Sequence, residues 1–390
     1  MKNFDFKLIK KSGKARLAKY STPHGVILTP AFIPVATKAT VKTLDSDDIA
    51  KIGFTDLLSN TYHLMLQPGS KIVKKMGGVH KFMNWNGPMF TDSGGYQVFS
   101  LGKGISEGAS KVTKNKEQVS RNTNKKSLVK IRDLGVEFRS HIDGHKIFMR
   151  PEDSIRIQEE IGADIIFVLD ECTSPTDKIE YLERALDRTH AWAKRCLIAH
   201  KRKDQALFGI VQGGENKRLR EKSAKYIGSL AFHGFGIGGS FGKEEMRKIL
   251  DWTLPLLPEL KPRHLLGIGL VEDIFDAVER GIDTFDCVEP TRIARHGALL
   301  TKNGRMRILS AKFKEDKKPI EKDCDCKLCK DYSRAYLHHL FKADEILGMR
   351  LATIHNLRFM YKLMEDIRKS LKQGKFLQFK KQFLKKFNLK

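Results

Sequence analysis

Between about residues 164 and 290, short apolar runs alternate with longer segments of helical period. ADIIFVLD is followed by IEYLERALDRTHAWAKRCLIAHKR, ALFGIVQGG by ENKRLREKSAKYIGSLAF, FGIGG by KEEMRKILDWTLPLL, and HLLGIGL by VEDIFDAVERGI, before TFDCV closes the series. The apolar runs lack a polar residue at every second position, so both of their faces are expected to be covered. Strict alternation of strand and helix predicts a parallel sheet with right-handed crossovers. Upstream, GVILTPAFIPVAT, FTDLLSNTYHL and GPMFTDSGGYQVF supply earlier strands, giving eight in all.

Each later run ends in a residue that does chemistry or lets a ligand approach: Asp170, Gln212, the Gly238-Gly239 pair, Gly269 and Asp286. Asp92 ends an earlier one. A doubly wound sheet gathers such residues at one switch point, whereas an α/β barrel spreads them around the carboxyl-terminal rim of its strands. Five successive strand ends favour a (β/α)8 TIM barrel. Two segments break the alternation. Residues 103–130 are rich in Lys, Ser and Asn without periodicity and read as a basic loop, and residues 311–356 carry a cysteine cluster and read as an inserted subdomain. The expected division is a barrel domain over 1–310, with the 103–130 insertion, and a zinc-binding subdomain with C-terminal helices over 311–390.

Composition narrows the partner. The 390 residues hold 72 Lys and Arg against 46 Asp and Glu, a net +26, while a hydrophobic content of 41% excludes wholesale disorder. Such an excess is out of place in an enzyme of small neutral metabolites and suits a polyanion, nucleic acid first, because each cation placed on a phosphate releases a counterion. An anionic membrane surface is the second possibility. The final KQGKFLQFKKQFLKKFNLK has the composition of a basic amphipathic helix, although a solvated helix docking its Phe and Leu residues on the domain explains it as well. No run approaches the roughly 18 apolar residues of a membrane span, and the opening segment lacks a signal-peptide core, so a soluble, cytoplasmic protein is expected.

Of six cysteines, Cys324, Cys326 and Cys329 fall within six residues as C-x-C-x2-C. Three thiolates and one imidazole complete a closed tetrahedral shell, which predicts one structural Zn2+ per chain. By spacing alone His355, His338 and His339 all compete for the fourth position. Elsewhere, Asp92 in TDSGGYQVFS and Asp286 in FDCVEPTR are rim acids, and such a pair suits covalent displacement at an anomeric carbon. Gly94-Gly95 permits close approach of a flat ligand and Tyr96 stacking on a purine, though Asp-Ser-Gly-Gly is also an ordinary turn. Arg292, Arg295 and His296 follow Asp286 closely enough to grip phosphates beside the reacting sugar.

The series TDSGGYQV, FRSHIDG, VLDECT, FGIVQGG, ERGIDTFDCVEPTR, CDCKLC and YSRAYLHHL, in this order over nearly the whole chain, resembles the bacterial tRNA-guanine transglycosylases. The resemblance implies a (β/α)8 barrel with a zinc subdomain inserted near its end. It also implies exchange of the wobble guanine of GUN-anticodon tRNAs (those for His, Tyr, Asn and Asp) for a 7-deazaguanine base. In it Asp286 is the nucleophile, Asp92 the general acid/base, Ser93, Tyr96, Asp170, Gln212, Gly239 and Leu266 the base-binding residues, and Arg292 and Arg295 the tRNA contacts. Cys324, Cys326, Cys329 and His355 are its zinc ligands, and a homodimer its assembly, with Tyr332 where the family's interface segment usually has Trp. The chain departs from the bacterial pattern at Ser240–Glu244, the loop facing the 7-substituent, which leaves 7-aminomethyl-7-deazaguanine and queuine both open as the incoming base. Leu266 replaces a common Met, a near-isosteric change.

Two other classes compete. A retaining glycoside hydrolase also uses paired rim acids, but three Trp offer few sugar platforms and the charge has no role with a neutral glycan. A zinc-containing RNA-binding module without catalysis accounts for charge and zinc and leaves the acids at the strand ends unexplained.

Overall fold

The structure, a computed structural model, describes residues 4–97 and 129–387. In chain order its strands are β1 (Phe6–Ser12), β2 (Ala15–Thr22), β3 (Gly25–Thr29), β4 (Ala31–Ile33), β5 (Leu57–Ser59), β6 (Met89–Thr91), β7 (Val129–Arg132), β8 (Gly135–Arg139), β9 (Lys146–Met149), β10 (Ile165–Phe167), β11 (Ala206–Val211), β12 (Gly234–Ile237), β13 (Arg263–Leu265), β14 (Thr284–Asp286), β15 (Ala298–Thr301) and β16 (Gly304–Arg307). Eight of them form one parallel sheet in the order β4-β14-β13-β12-β11-β10-β6-β5. A parallel bridge between Val35 and Leu58 joins its two ends, with the Ala36 N–H donating to the Leu58 carbonyl at 2.7 Å. The predicted α/β barrel is therefore the observed one. Its strands are buried on both faces, all six residues of β11 included, which is why their sequences show no alternation.

Helices between the strands bury one stripe each. In Ile179–Ala199 the stripe is Ala185, Leu186, Thr189, His190, Trp192, Ala193 and Cys196, at helical spacing. The segment GVILTPAFIPVAT divides at Pro30: β3 pairs with β2 in a three-stranded antiparallel sheet, and only β4 enters the barrel. Proline has no N–H to continue the first ladder, so the chain changes sheets there. That small sheet packs at the amino-terminal end, where buried Arg16 donates to the Asp283 carboxylate ahead of β14.

The basic stretch 103–130 lies outside the described residues except for its last two, and these are not loop. Val129 and Lys130 open β7, paired with Phe138 and Glu137 of β8. The alternation V-K-I-R puts Val129 inward and Lys130 outward, as a half-buried antiparallel strand requires. After β14 come helix Glu289–Arg295, the hairpin β15–β16, the cysteine cluster and helix Arg334–Lys342; then helix Ile346–Lys372 returns to pack on β2, β4, helix Ser46–Ile52 and helix Glu289–Arg295. This long helix takes the position of the last barrel helix. Its Asn356 donates to the carbonyls of Pro290 and Ala298 at 3.0 Å, tying the insert to the barrel across residue 310.

The basic helix Phe376–Phe387 lies against the domain. Phe379 and Phe383 pack on Phe275, at 5.7 and 5.4 Å between ring centroids, and Lys380 reaches Asp276 at 2.6 Å. Among the described residues no helix is long and apolar enough to cross a membrane.

Candidate active site

The strand-end residues meet in one cleft of about 600 Å³. Asp92, Ser93, Tyr96, Asp170, Gln212, Gly239, Leu266, Asp286, Arg292 and Arg295 all line it, so the sequence-predicted set is brought together. Gly269 is not in the lining. β13 ends at Leu265, and Leu266 and Gly267 form the wall there. A Cβ on Gly269 would stand 2.4 Å from that of Cys287, so this glycine serves packing.

Asp92 follows β6 directly and is held by the start of the helix that follows the neighbouring strand β5. Asn60 caps helix Thr61–Leu66 by accepting from the His63 N–H at 3.0 Å, and its amide donates to Asp92 Oδ2 at 2.5 Å. The Thr61 and Gly94 N–H groups donate to Oδ1 at 3.0 and 3.2 Å. One N-cap residue thus fixes a helix start and aims an acid. Asp286, the last residue of β14, is held from β13. The Gly267 N–H donates to its Oδ1 at 2.8 Å, and His264 Nε2 lies 3.0 Å from the same oxygen. His264 is fully buried, with Nδ1 2.9 Å from Thr284 Oγ1.

Asp170 and Gln212 form a polar wall. Gln212 Nε2 donates to Asp170 Oδ2 at 2.6 Å, and Ser93 Oγ donates to Oδ1 at 3.4 Å. Gly95 has no room for a side chain, since a Cβ would lie 2.8 Å from the Asp170 carbonyl. Gly94 and Gly95 both line the cleft, and the second also lets one strand end approach another. Tyr96 lines the cleft, and burial pushes its phenol up to about 12, so it stays protonated at neutral pH. Leu266, Phe167, Ile210 and Val35 supply apolar surface. A planar, hydrogen-bonding ligand fits such a slot.

Arg292 and Arg295 stand on one helix at a spacing that puts them on the same face, and Arg295 Nη1 donates to the Thr291 carbonyl at 2.8 Å. Lys38 and Lys42 join them in the lining. These two lysines, Asn60, His63 and His264 were not anticipated from sequence: the lysines lie in an early loop without a chemical signature, Asn60 and His63 open a short helix that reads as a plain cap and turn, and a lone histidine in an apolar run reads as core.

The family model described as queuine tRNA-ribosyltransferase matches residues 11–389. The chain belongs to this family. Relatives named queuine tRNA-ribosyltransferase from Desulforamulus reducens, Pelotomaculum thermopropionicum and Staphylococcus aureus are 49%, 49% and 48% identical to it. The alignments cover 97%, 96% and 98% of this chain and 96%, 95% and 96% of theirs.

Outside the cleft, the family member gathers Cys324, Cys326, Cys329 and His355 into a cluster that suits a metal ion. The three Sγ atoms lie 3.8, 3.5 and 3.3 Å from His355 Nδ1. A zinc tetrahedron with ordinary Zn–S and Zn–N bonds has S···N edges of roughly 3.5 Å, so the donor set fits. His355 Nε2 donates to the Leu300 carbonyl at 2.8 Å, which leaves the Nδ1 lone pair for the thiol group. His338 is engaged elsewhere, with Nδ1 2.8 Å from the Ile308 carbonyl, and His339 is outside the cluster. Of the three histidines that the spacing left open, the fold sets His355 with the three thiols.

Proposed function

We propose that the chain, a pentosyltransferase by family, exchanges guanine at the wobble position of GUN-anticodon tRNAs for a 7-deazaguanine base. Asp286 attacks ribose C1′, the C1′–N9 bond breaks with its electron pair passing into the departing purine, and a ribosyl ester on Asp286 results. Asp92 moves the protons that the leaving and entering bases exchange. The incoming base then attacks C1′ and releases the carboxylate. Asp170 accepts from the ring N–H and exocyclic amine of the base, Gln212 and the Gly239 N–H donate to its carbonyl, and Tyr96 stacks on it, with Ser93 and Leu266 beside. Arg292 and Arg295 contact the anticodon loop, and the reacting nucleotide leaves its stack to enter the cleft.

The observation that carries this reading is the meeting of two separately anchored acids with a donor–acceptor wall in one slot bordered by cations. A glycan hydrolase has no use for that border.

One Zn2+ per subunit, held by the Cys3His cluster, acts as a structural ion of the 311–390 part, and 1–310 is the catalytic part. Two copies pair through the segment of Tyr332 and Tyr336, whose rings stack at 5.1 Å with Tyr336 exposed. The protein works in the cytoplasm, where its tRNA substrate is.

The test is incorporation of radiolabelled guanine into unmodified GUN-anticodon tRNA, in competition with 7-aminomethyl-7-deazaguanine and with queuine. Incorporation is expected, and the stronger competitor identifies the base. D286N is expected to bind tRNA and exchange nothing; full exchange by D286N refutes the nucleophile.

A further inference from the structure

Arg220, on helix Lys217–Ser229, is fully buried, and its hydrogen bonds among the described residues all go to backbone carbonyls rather than to a carboxylate. Burial pulls its guanidinium down to about 10, still charged at neutral pH. A buried, unpaired cation is costly unless something compensates it. Carbonyls do so here: Nε donates to Gly214 at 2.7 Å, and Nη1 donates to Val211 at 3.0 Å and to Gly238 at 2.8 Å. The Phe241 ring covers the group at 5.7 Å. Nη2 has no hydrogen-bond partner among the described residues.

The contact with Gly238 matters because its C=O and the N–H of Gly239 belong to one planar peptide and point in opposite directions. Anchoring the carbonyl on the guanidinium fixes where that N–H points. Gly238 and Gly239 both line the cleft beside Gln212. The chain is locked from behind as well: Gly239 has φ +127°, and a Cβ there would stand 2.5 Å from Arg220 Nη2. A charge-assisted bond to a peptide carbonyl also polarises the amide, making its N–H a stronger donor.

We infer that Arg220 is a positioning residue of the exchange reaction, acting through the Gly238–Gly239 peptide to orient and strengthen the N–H that meets the carbonyl oxygen of the base. This rests on the base-exchange reading. As the C1′–N9 bond breaks, its electron pair delocalises over the purine to that oxygen, so a donor fixed there is worth most in the transition state. No proton leaves Arg220 in this step. The charge stays behind the peptide and moves nothing but the peptide's dipole.

The experiment compares two competitors of guanine exchange, 7-deazaguanine and 2-amino-7-deazapurine, which lacks the 6-oxygen and with it the N1 proton; the second loss weakens that base equally in every variant, so the change from wild type to variant is what is read. In R220M the inhibition constant of 7-deazaguanine is expected to rise roughly 10-fold or more, that of the deoxygenated base less than about threefold, and kcat to fall roughly 10- to 100-fold. R220K, which keeps a charge, is expected to recover part of the selectivity. Should R220M not fold, R220Q, whose amide can keep a donor toward Gly238 but no charge, must show a loss selective for the same base, of smaller size. Equal losses for both bases, or none, overturn the inference and leave Arg220 a structural cation. Failure of the unaltered protein to exchange guanine at all would instead overturn the base-exchange reading.

Discussion

His264 offers a test of how Asp286, the proposed nucleophile, is held. Its ring lies between Phe90 and Phe167, at 5.7 and 5.2 Å between centroids, and its nitrogens reach Thr284 Oγ1 and Asp286 Oδ1. H264F keeps the ring and its packing while deleting both polar contacts. The bond to the carboxylate is worth about 1.5–3 kcal/mol and the stranded Thr284 hydroxyl costs about 1–3 kcal/mol, partly offset by the more apolar ring, so a net destabilisation of about 2–4 kcal/mol is expected. Asp286 keeps the Gly267 N–H and is not orphaned. Its carboxylate does lose the His264 anchor, and misplacement of a reacting group by an ångström costs on the order of 100-fold in rate. Urea unfolding and the kcat of labelled-guanine exchange at saturating tRNA measure the two effects. The double variant H264F/T284V removes the stranded hydroxyl and should regain about 1–2 kcal/mol of stability while its rate stays low. An unchanged kcat in H264F, or a kcat that recovers with stability in the double variant, would refute the positioning argument.

Three further outcomes are expected. Asp273 is fully buried with neither carboxylate oxygen hydrogen-bonded among the described residues, and desolvation raises its pKa from 3.8 to about 6. The folded state therefore binds this proton more tightly than the unfolded chain, so its penalty is absent below pH 3.8 and complete above about 6. D273N should stabilise by up to about 3 kcal/mol at pH 7 and by nothing at pH 3.5, read as the difference between the two unfolding curves. Purified protein should carry one zinc per chain by elemental analysis, and C329S should lose it; a folded chain without zinc would discard the metal assignment. R295A should weaken tRNA binding and lower the slope of log K against log salt by about 1, and an unchanged slope would remove Arg295 from the phosphate contacts.

The barrel was legible because eight strands buried on both faces leave eight apolar runs, and helical stripes separate them. What sequence could not place was anything set by contact between elements. His264 looks like one more core residue in HLLGIGL until the β13–β14 pairing sets it against Thr284. Asn60 reads as a cap, and its other amide atom becomes informative only when β6 brings Asp92 alongside. The C-x-C-x2-C spacing announces three ligands but is silent on the fourth, because His355 arrives on a helix whose course is decided by barrel packing. Gly269 shows the reverse error: it sits near the rim but outside the cleft lining, and it is small because Cys287 is against it.

That same packing joins the cysteine cluster to the cleft without any direct contact. His355 holds the Leu300 carbonyl through Nε2, and its neighbour Asn356 accepts from the Leu300 N–H at 2.8 Å. Asn356 also donates to Pro290, in the first turn of the helix that carries Arg292 and Arg295. The route from cluster to arginines is therefore two adjacent residues on one rigid helix. Asp92, Asp170 and Gln212 are anchored instead by β6, β10, β11 and the helix starts beside them, with no part of this route. Loosening the cluster should therefore disturb Arg292 and Arg295 and leave Asp92, Asp170 and Gln212 in place. On the proposed function, a metal at this cluster steadies the helix that carries Arg292 and Arg295, while Asp92, Asp170 and Gln212 are held by the barrel.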